Sequence, residues 1–205
     1  MQFSNLVFLL LISIFLLRCS QTIDDRKTVV FFQNQKASWI QDKKNLPQSD
    51  AEFYLDDPAP LFRKTFFLED LPKKATLHIT AAGYYRSSIN TFDLEEKILD
   101  PTWTDYSKRI YYSEYDITPQ LIKGMNCLGV TLGNGFYNPL PLKMWGRINL
   151  RERLSVGKPR FIAKLIITDS KGKTKEIISD NSWKYNYSPI TKNSVYLGTQ
   201  YDANN

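Results

Sequence analysis

Histidine is nearly absent from this chain and cysteine is scarce, with one His and two Cys in 205 residues. Two cysteines cannot build a disulfide framework. A single His excludes histidine-rich metal sites and the two-His helix of a metalloprotease. No G-x-x-x-x-G-K-[ST], G-x-G-x-x-G or G-x-S-x-G occurs, which removes the common nucleotide loops and the hydrolase nucleophile elbow. Glycine and proline, at 9 and 10, are too few for a collagen-like or low-complexity chain. No segment of the body holds a 3.6-residue apolar period for three turns, so no helical bundle is expected. Clustered basic charge is also lacking. Lys plus Arg is 27 against 21 acids, a formal charge of +6, yet the runs are no longer than pairs such as Lys43-Lys44 and Lys73-Lys74. Nucleic-acid recognition needs that charge gathered on one face, so it is not expected.

What is plentiful is aromatic: 12 Tyr, 12 Phe and 4 Trp within a composition that is 42% apolar. That bias favours β structure and flat binding surfaces. The one long apolar run, residues 6–17, ends at Arg18-Cys19-Ser20. Twelve residues span about 18 Å as a helix, short of a hydrocarbon core of about 30 Å. At the extreme N-terminus it reads as a signal segment, residues 1–18. A Cys directly after such a run resembles a bacterial lipoprotein signal, which implies lipidation at Cys19, export, and a lipoprotein of the cell envelope (periplasmic or on the outer-membrane surface). Membrane contact is expected only through that anchor. Two features depart from the pattern: no Lys or Arg precedes the run, and Arg18 stands where a small residue is usual. Residues 19–38 then read as a polar tether that becomes ordered around Ala37-Ser38-Trp39-Ile40, and residues 39–205 as a single domain.

Within that domain, segments 64–68, 75–81, 84–89, 109–115, 126–132, 161–168, 175–179 and 182–187 each read as a strand. They are rich in Ile, Val, Thr, Tyr and Phe and are separated by turn residues. Residues 161–178 form the clearest hairpin, with Asp169-Ser170-Lys171-Gly172 as its turn. A helical turn is expected over residues 118–123, with Thr118 as N-cap, Pro119 at the first position and Gly124 past the end. The fold class is therefore all-β: an antiparallel β-sandwich of jelly-roll type. Cys127 reads as an inert buried thiol, His78 as a strand side chain without catalytic role, and Trp103 and Trp183 as core or corner anchors.

Several fragments are more particular than a generic sandwich requires. In order they are Phe62-Arg63-Lys64-Thr65-Phe66, Ala82-Gly83-Tyr84-Tyr85, Leu99-Asp100-Pro101-Thr102-Trp103-Thr104-Asp105-Tyr106, and Val130-Thr131-Leu132-Gly133-Asn134-Gly135-Phe136-Tyr137-Asn138. Ser179-Asp180-Asn181-Ser182-Trp183-Lys184 and Tyr196-Leu197-Gly198-Thr199-Gln200-Tyr201-Asp202-Ala203 complete the set. Together, from Trp39 to Ala203, they resemble the N-terminal domain of bacterial α-L-rhamnosidases of glycoside hydrolase family seventy-eight. The resemblance implies an accessory β-sandwich that helps recognise a rhamnose-containing carbohydrate beside a separate catalytic (α/α) barrel and further β-domains. It also implies that the general acid and base lie in that barrel; an inverting glycosidase needs two carboxyls about 6.5–9.5 Å apart, and no such pair is assigned here. Two departures stand out. Relatives carry Asn-Gly where this chain has Asn90-Thr91, and Glu and Arg where it has Thr199 and Asn204. A β-branched residue tolerates positive φ poorly, so the Asn90-Thr91 turn is expected to be altered or lengthened.

Candidate carbohydrate contacts are Asn134, Phe136, Tyr137, Asn138 and Trp145, which flank a glycine pair and the Pro139-Leu140-Pro141 loop. Aromatic faces stack on sugar rings, amides bind hydroxyls, and end loops carry ligand contacts. Asp100 and Asp105, with Asn134 and Asn138, are hard oxygen donors of the kind Ca²⁺ takes, although the loop motif D-x-[DN]-x-[DN]-G is missing. Asp100 before Pro101 is equally a turn former. Three functions remain open: a substrate-recognising accessory domain, the front piece of a complete α-L-rhamnosidase, and a purely structural sandwich packed on the barrel.

Overall fold

The computed structural model describes residue 32 and residues 36–94 and 98–204. The chain divides into two compact units, 1–35 and 36–205; the signal segment, Cys19 and nearly all of the tether lie outside the described residues. Thirteen strands are found among the described residues. They are β1 (Pro60–Leu68), β2 (Lys74–Ala82), β3 (Tyr84–Ile89), β4 (Phe92–Asp93), β5 (Ser113–Asp116), β6 (Gly124–Gly133) and β7 (Lys143–Met144). There follow β8 (Ile148–Asn149), β9 (Arg160–Thr168), β10 (Thr174–Ile178), β11 (Lys184–Tyr187), β12 (Ile190–Ser194) and β13 (Gly198–Tyr201).

Two antiparallel sheets form the sandwich, one in the order β11-β1-β6-β3-β4 and the other β10-β9-β2-β5. Alternation decides which side chains meet between them. Phe62 and Phe66 of β1, Leu128, Val130 and Leu132 of β6, and Tyr85 and Ile89 of β3 point inward from the first sheet. Leu77 and Ile79 of β2 with Phe161, Leu165 and Ile167 of β9 answer from the second. The Phe161 ring joins the layers, edge-on to both Phe62 and Trp183 with centroids 5.2 Å away in each case. Each such fully buried side chain contributes about 1.5–3 kcal/mol. Trp183 is thus a core anchor, its indole N–H donating to the Ile178 carbonyl at 2.8 Å.

The chain changes sheets at a single residue. β2 ends at Ala82 and β3 begins at Tyr84, so Gly83 alone makes the corner, at φ 103°. A Cβ there would lie 2.5 Å from the Gly133 carbonyl oxygen. At the same end, residues 38–40 dock onto the sandwich: Ser38 N–H donates to Ser179 O, and Ile40 exchanges backbone hydrogen bonds with Phe161.

Several expectations are corrected. Residues 118–123 hold only a 3-10 turn, Thr118–Gln120. The Thr118 hydroxyl accepts from Ala75 N–H at 2.8 Å rather than capping a helix, and Gly124 opens β6. The strand expected over 109–115 is the shorter β5, because Asp105 closes a turn through Ser107 just before it. Trp103 is no core residue; it is 44% exposed. Cys127 is half-buried, since it lies on the outer side of β6. The Asn90-Thr91 turn keeps its two-residue length because only Asn90 takes positive φ, 55°, leaving Thr91 unstrained. The Asn90 amide then ties the turn to Gln120 O, Asn126 Oδ1 and Cys127 N–H. The small sheets β7–β8 and β12–β13 have no counterpart in the sequence pattern; pairs of two to five residues give too short an alternation to read.

Candidate functional site

Three segments meet at the Gly83 end of the sandwich: residues 42–57, residues 132–140 and the β12–β13 hairpin. Between them runs a groove in two adjoining parts of roughly 470 and 260 Å³, both lined by Glu52, Leu55, Asp57, Asn134, Asn138 and Asn193. The conformation of the 133–138 turn depends on Gly135, at φ 52°, and on the Asn138 N–H donating to Asn134 O.

A continuous amide chain supports one wall. Asn193 Oδ1 accepts from the Asn134 N–H at 2.6 Å, and Asn193 O accepts from Asn134 Nδ2 at 3.0 Å. Asn134 Oδ1 accepts from Asn138 Nδ2 at 2.8 Å, and Asn138 Oδ1 from Arg151 Nη1 at 2.8 Å. Arg151 also donates to Pro139 O and lies 4.0 Å over the Phe53 ring. The opposite side is ionic. Lys158 is salt-bridged to Asp42, whose side chain is 4% exposed, and donates to the carbonyls of Asp42 and Lys44. Lys44 pairs with Asp57 at 2.9 Å while sitting 3.9 Å over the Tyr187 ring, and Lys192 pairs with Asp56 at 3.2 Å. Burial and then the Asp42 charge push the pKa of the Tyr187 hydroxyl up to about 12. Glu52 accepts from Gln48 N–H and the Ser49 hydroxyl, which hold its carboxyl below the usual range.

The structure separates the residues expected to act together. Asn134 and Asn138 line the groove, but their amide groups bind one another, Asn193 and Arg151, so the open polar atoms belong to their neighbours. Phe136 points elsewhere, packed between Trp103 at 5.6 Å and Tyr196 at 6.2 Å. Tyr137 is buried edge-on to Tyr106 at 5.1 Å, with Arg160 above its ring at 5.7 Å. Trp145 stands at the β7–β8 tip, 79% exposed and at φ 50°. Asp100 is buried, and its Oδ2 accepts from the hydroxyls of Tyr85, Ser113 and Tyr115 at 2.5, 2.5 and 2.8 Å. Asp105 accepts from Ser107 and pairs with Lys108 at 3.2 Å, which lowers its pKa. Among the described residues no group of three or more His, Cys, Asp or Glu side chains is placed to hold a metal ion.

Sequence reasoning missed the other half of the groove, Asp42, Lys44, Lys158 and Asn193, and the Arg151 that braces Asn138 from behind. Asn193 had no signal, since it sits in β12, whose alternation is too short to read. The 42–57 segment had none, because it reads as linker until its backbone is docked.

The comparisons agree with one another. Residues 70–205 match the family model described as alpha-L-rhamnosidase N-terminal domain. An alpha-L-rhamnosidase of Formosa agariphila is 36% identical over 146 residues, covering 71% of this chain and 15% of its own length. One from Alteromonas sp. is 36% identical over 171 residues, covering 82% and 18%. Among solved structures, the alpha-L-rhamnosidase from Dictyoglumus thermophilum superposes with TM-score 0.69 at 35% identity, over 84% of this chain and 19% of that one. The enzyme from Aspergillus terreus gives 0.71 at 28%, over 83% and 18%. The chain therefore spans less than a fifth of the length of these relatives.

Proposed function

The chain belongs to the alpha-L-rhamnosidase N-terminal domain family, and on that footing we propose that it is an accessory domain that recognises a rhamnoside in the groove beside residues 42–57. The observation that carries the reading is the chemistry of the groove. A 6-deoxy sugar offers hydroxyls and one methyl group. The groove offers Lys44, Gln48, Asp56, Lys192 and Thr199 for the hydroxyls, with Tyr54, Leu55 and Leu140 as apolar surface. Sites of this size with a few convergent polar groups are the usual form of small-ligand sites.

Hydrolysis is not assigned to this domain. An inverting glycosidase needs one carboxyl protonated as general acid. Of the groove's four carboxylates, Asp42, Asp56 and Asp57 are salt-bridged to lysines and Glu52 is held below its usual pKa. This supports the reading that the catalytic pair belongs to the larger part of the relatives, beyond the fraction this chain spans.

A second reading has its own support. Ile98, Leu99, Val195 and Tyr84 line an apolar hollow of roughly 470 Å³, and Ile98 is almost wholly exposed. Such a surface suits packing against another domain of a complete α-L-rhamnosidase. Titration of the full chain with L-rhamnose by ¹H–¹⁵N NMR separates the two. The first predicts shifts at Gln48, Lys192 and Asn193 with a dissociation constant on the order of 1 mM, about 4 kcal/mol. Tyr54→Ala and Lys192→Ala weaken that binding several-fold. No movement of groove resonances at tens of millimolar sugar removes the recognition reading and leaves packing.

A further inference from the structure

Beyond the groove, we infer that the domain carries a second saccharide contact, a hollow walled by Trp103, Asp105, Glu152 and Arg153, so that it engages several units of a glycan chain. This rests on the reading that the domain recognises sugar.

The hollow measures roughly 350 Å³. Trp103 forms one wall. Its indole is backed by Phe136 at 5.6 Å, and Phe136 is in turn braced edge-on by Tyr196 at 6.2 Å. That stack holds a large apolar ring rigid while leaving it 44% exposed, the form a stacking platform needs, because little side-chain freedom is lost when a ring settles on it. Facing it are donors and acceptors of both signs. Asp105 is fixed by Ser107 and Lys108. Glu152 is exposed, and Arg153 is exposed and makes no ion pair with a described residue. Vicinal hydroxyls suit such a set, donating to the carboxylates and accepting from the guanidinium.

The link to the groove is the one-turn helix Leu150–Arg153. Its Arg151 reaches Asn138 and Phe53 on the groove side, while Glu152 and Arg153 line the hollow. The helix thus stands between the two sites. A glycan chain of a few units that reaches both makes each contact raise the effective concentration at the other.

The test uses the full chain with two probes, methyl α-L-rhamnoside and an α-linked rhamnotetraose. Tryptophan fluorescence and NMR are read for wild type, Trp103→Ala and Arg153→Ala; the second variant alters only an exposed side chain and guards against misfolding of the first. The tetraose binds wild type about tenfold tighter than the monosaccharide. Both variants lose most of that gain and keep the monosaccharide shifts at Asn193. The inference is overturned if the tetraose binds no tighter, or if its affinity is unchanged in Arg153→Ala and in any folded Trp103→Ala; groove recognition then stands alone. Absence of binding by both probes to wild type overturns groove recognition and this inference together.

Discussion

His78 shows what one residue gains from its place in a sheet. It lies on the outer side of β2, yet it is buried, because β2 is an inner strand flanked by β9 and β5. Its Nδ1 sits 3.5 Å from Glu114 Oε2 on β5, and its ring is 5.9 Å from Tyr112. Burial lowers its pKa below 6.5; Glu114 opposes this, while Lys164 of β9 and Lys74 add to it. The unfolded chain therefore takes up a proton that the folded chain resists. Stability is full above the unfolded pKa and declines as pH falls through 6.5 toward the lower folded value. Urea midpoints should drop between about pH 7.5 and 5.5, and His78→Gln should flatten that drop. An identical pH slope in the variant would place the effect elsewhere.

At the scale of an element, the β2–β3 corner is the most constrained joint. Gly83 combines positive φ with a carbonyl contact at 2.5 Å, whereas Gly172 in the β9–β10 turn has φ 81° and nothing within 4 Å of the place a methyl group would take. Gly172→Ala should cost only the left-handed backbone penalty, about 1–2 kcal/mol. Gly83→Ala adds overpacking of about 1–3 kcal/mol, so its urea midpoint should fall clearly further; equal losses would show that the corner relaxes without cost. The strands themselves were legible. β3 has the bounds its alternation predicts, and β9–β10 turns where Asp169 and Gly172 indicate, with Asp169 Oδ1 accepting from Lys171 and Lys173. What was illegible was everything held by side chains far apart in sequence. The docking of residues 38–42 depends on Ser179, Phe161 and Lys158, and none of these pairings leaves a local pattern.

For the whole molecule, the proposal is an exported domain held at the cell envelope by lipid on Cys19. The support is the position and length of the apolar run over residues 6–17 and the Cys that follows it. Metabolic labelling with a palmitate analogue should mark the wild-type chain and spare Cys19→Ala. Label that persists in the variant, or unprocessed chain in the cytoplasm, would defeat it. Such an anchor would place the groove and the neighbouring hollow where glycans outside the cytoplasm are met.

The amino-acid sequence by itself determined the class, the eight longer strands of the two main sheets, the hairpin turns and the family. Those depend on alternation, turn chemistry and short motifs, all of which act over a few residues. Tertiary structure alone decided the site. Asn134 and Asn138 looked like free amides, and only the arrival of Asn193 and Arg151 showed them committed to each other. Phe136 and Tyr137 looked like one aromatic patch, and the turn that carries them sent one to Trp103 and the other beneath Arg160. A groove made by residues 42–57 and 193–200 closes over the 135 residues 58–192 between them. Contacts of that separation arise from packing two sheets face to face, and no local signal encodes them.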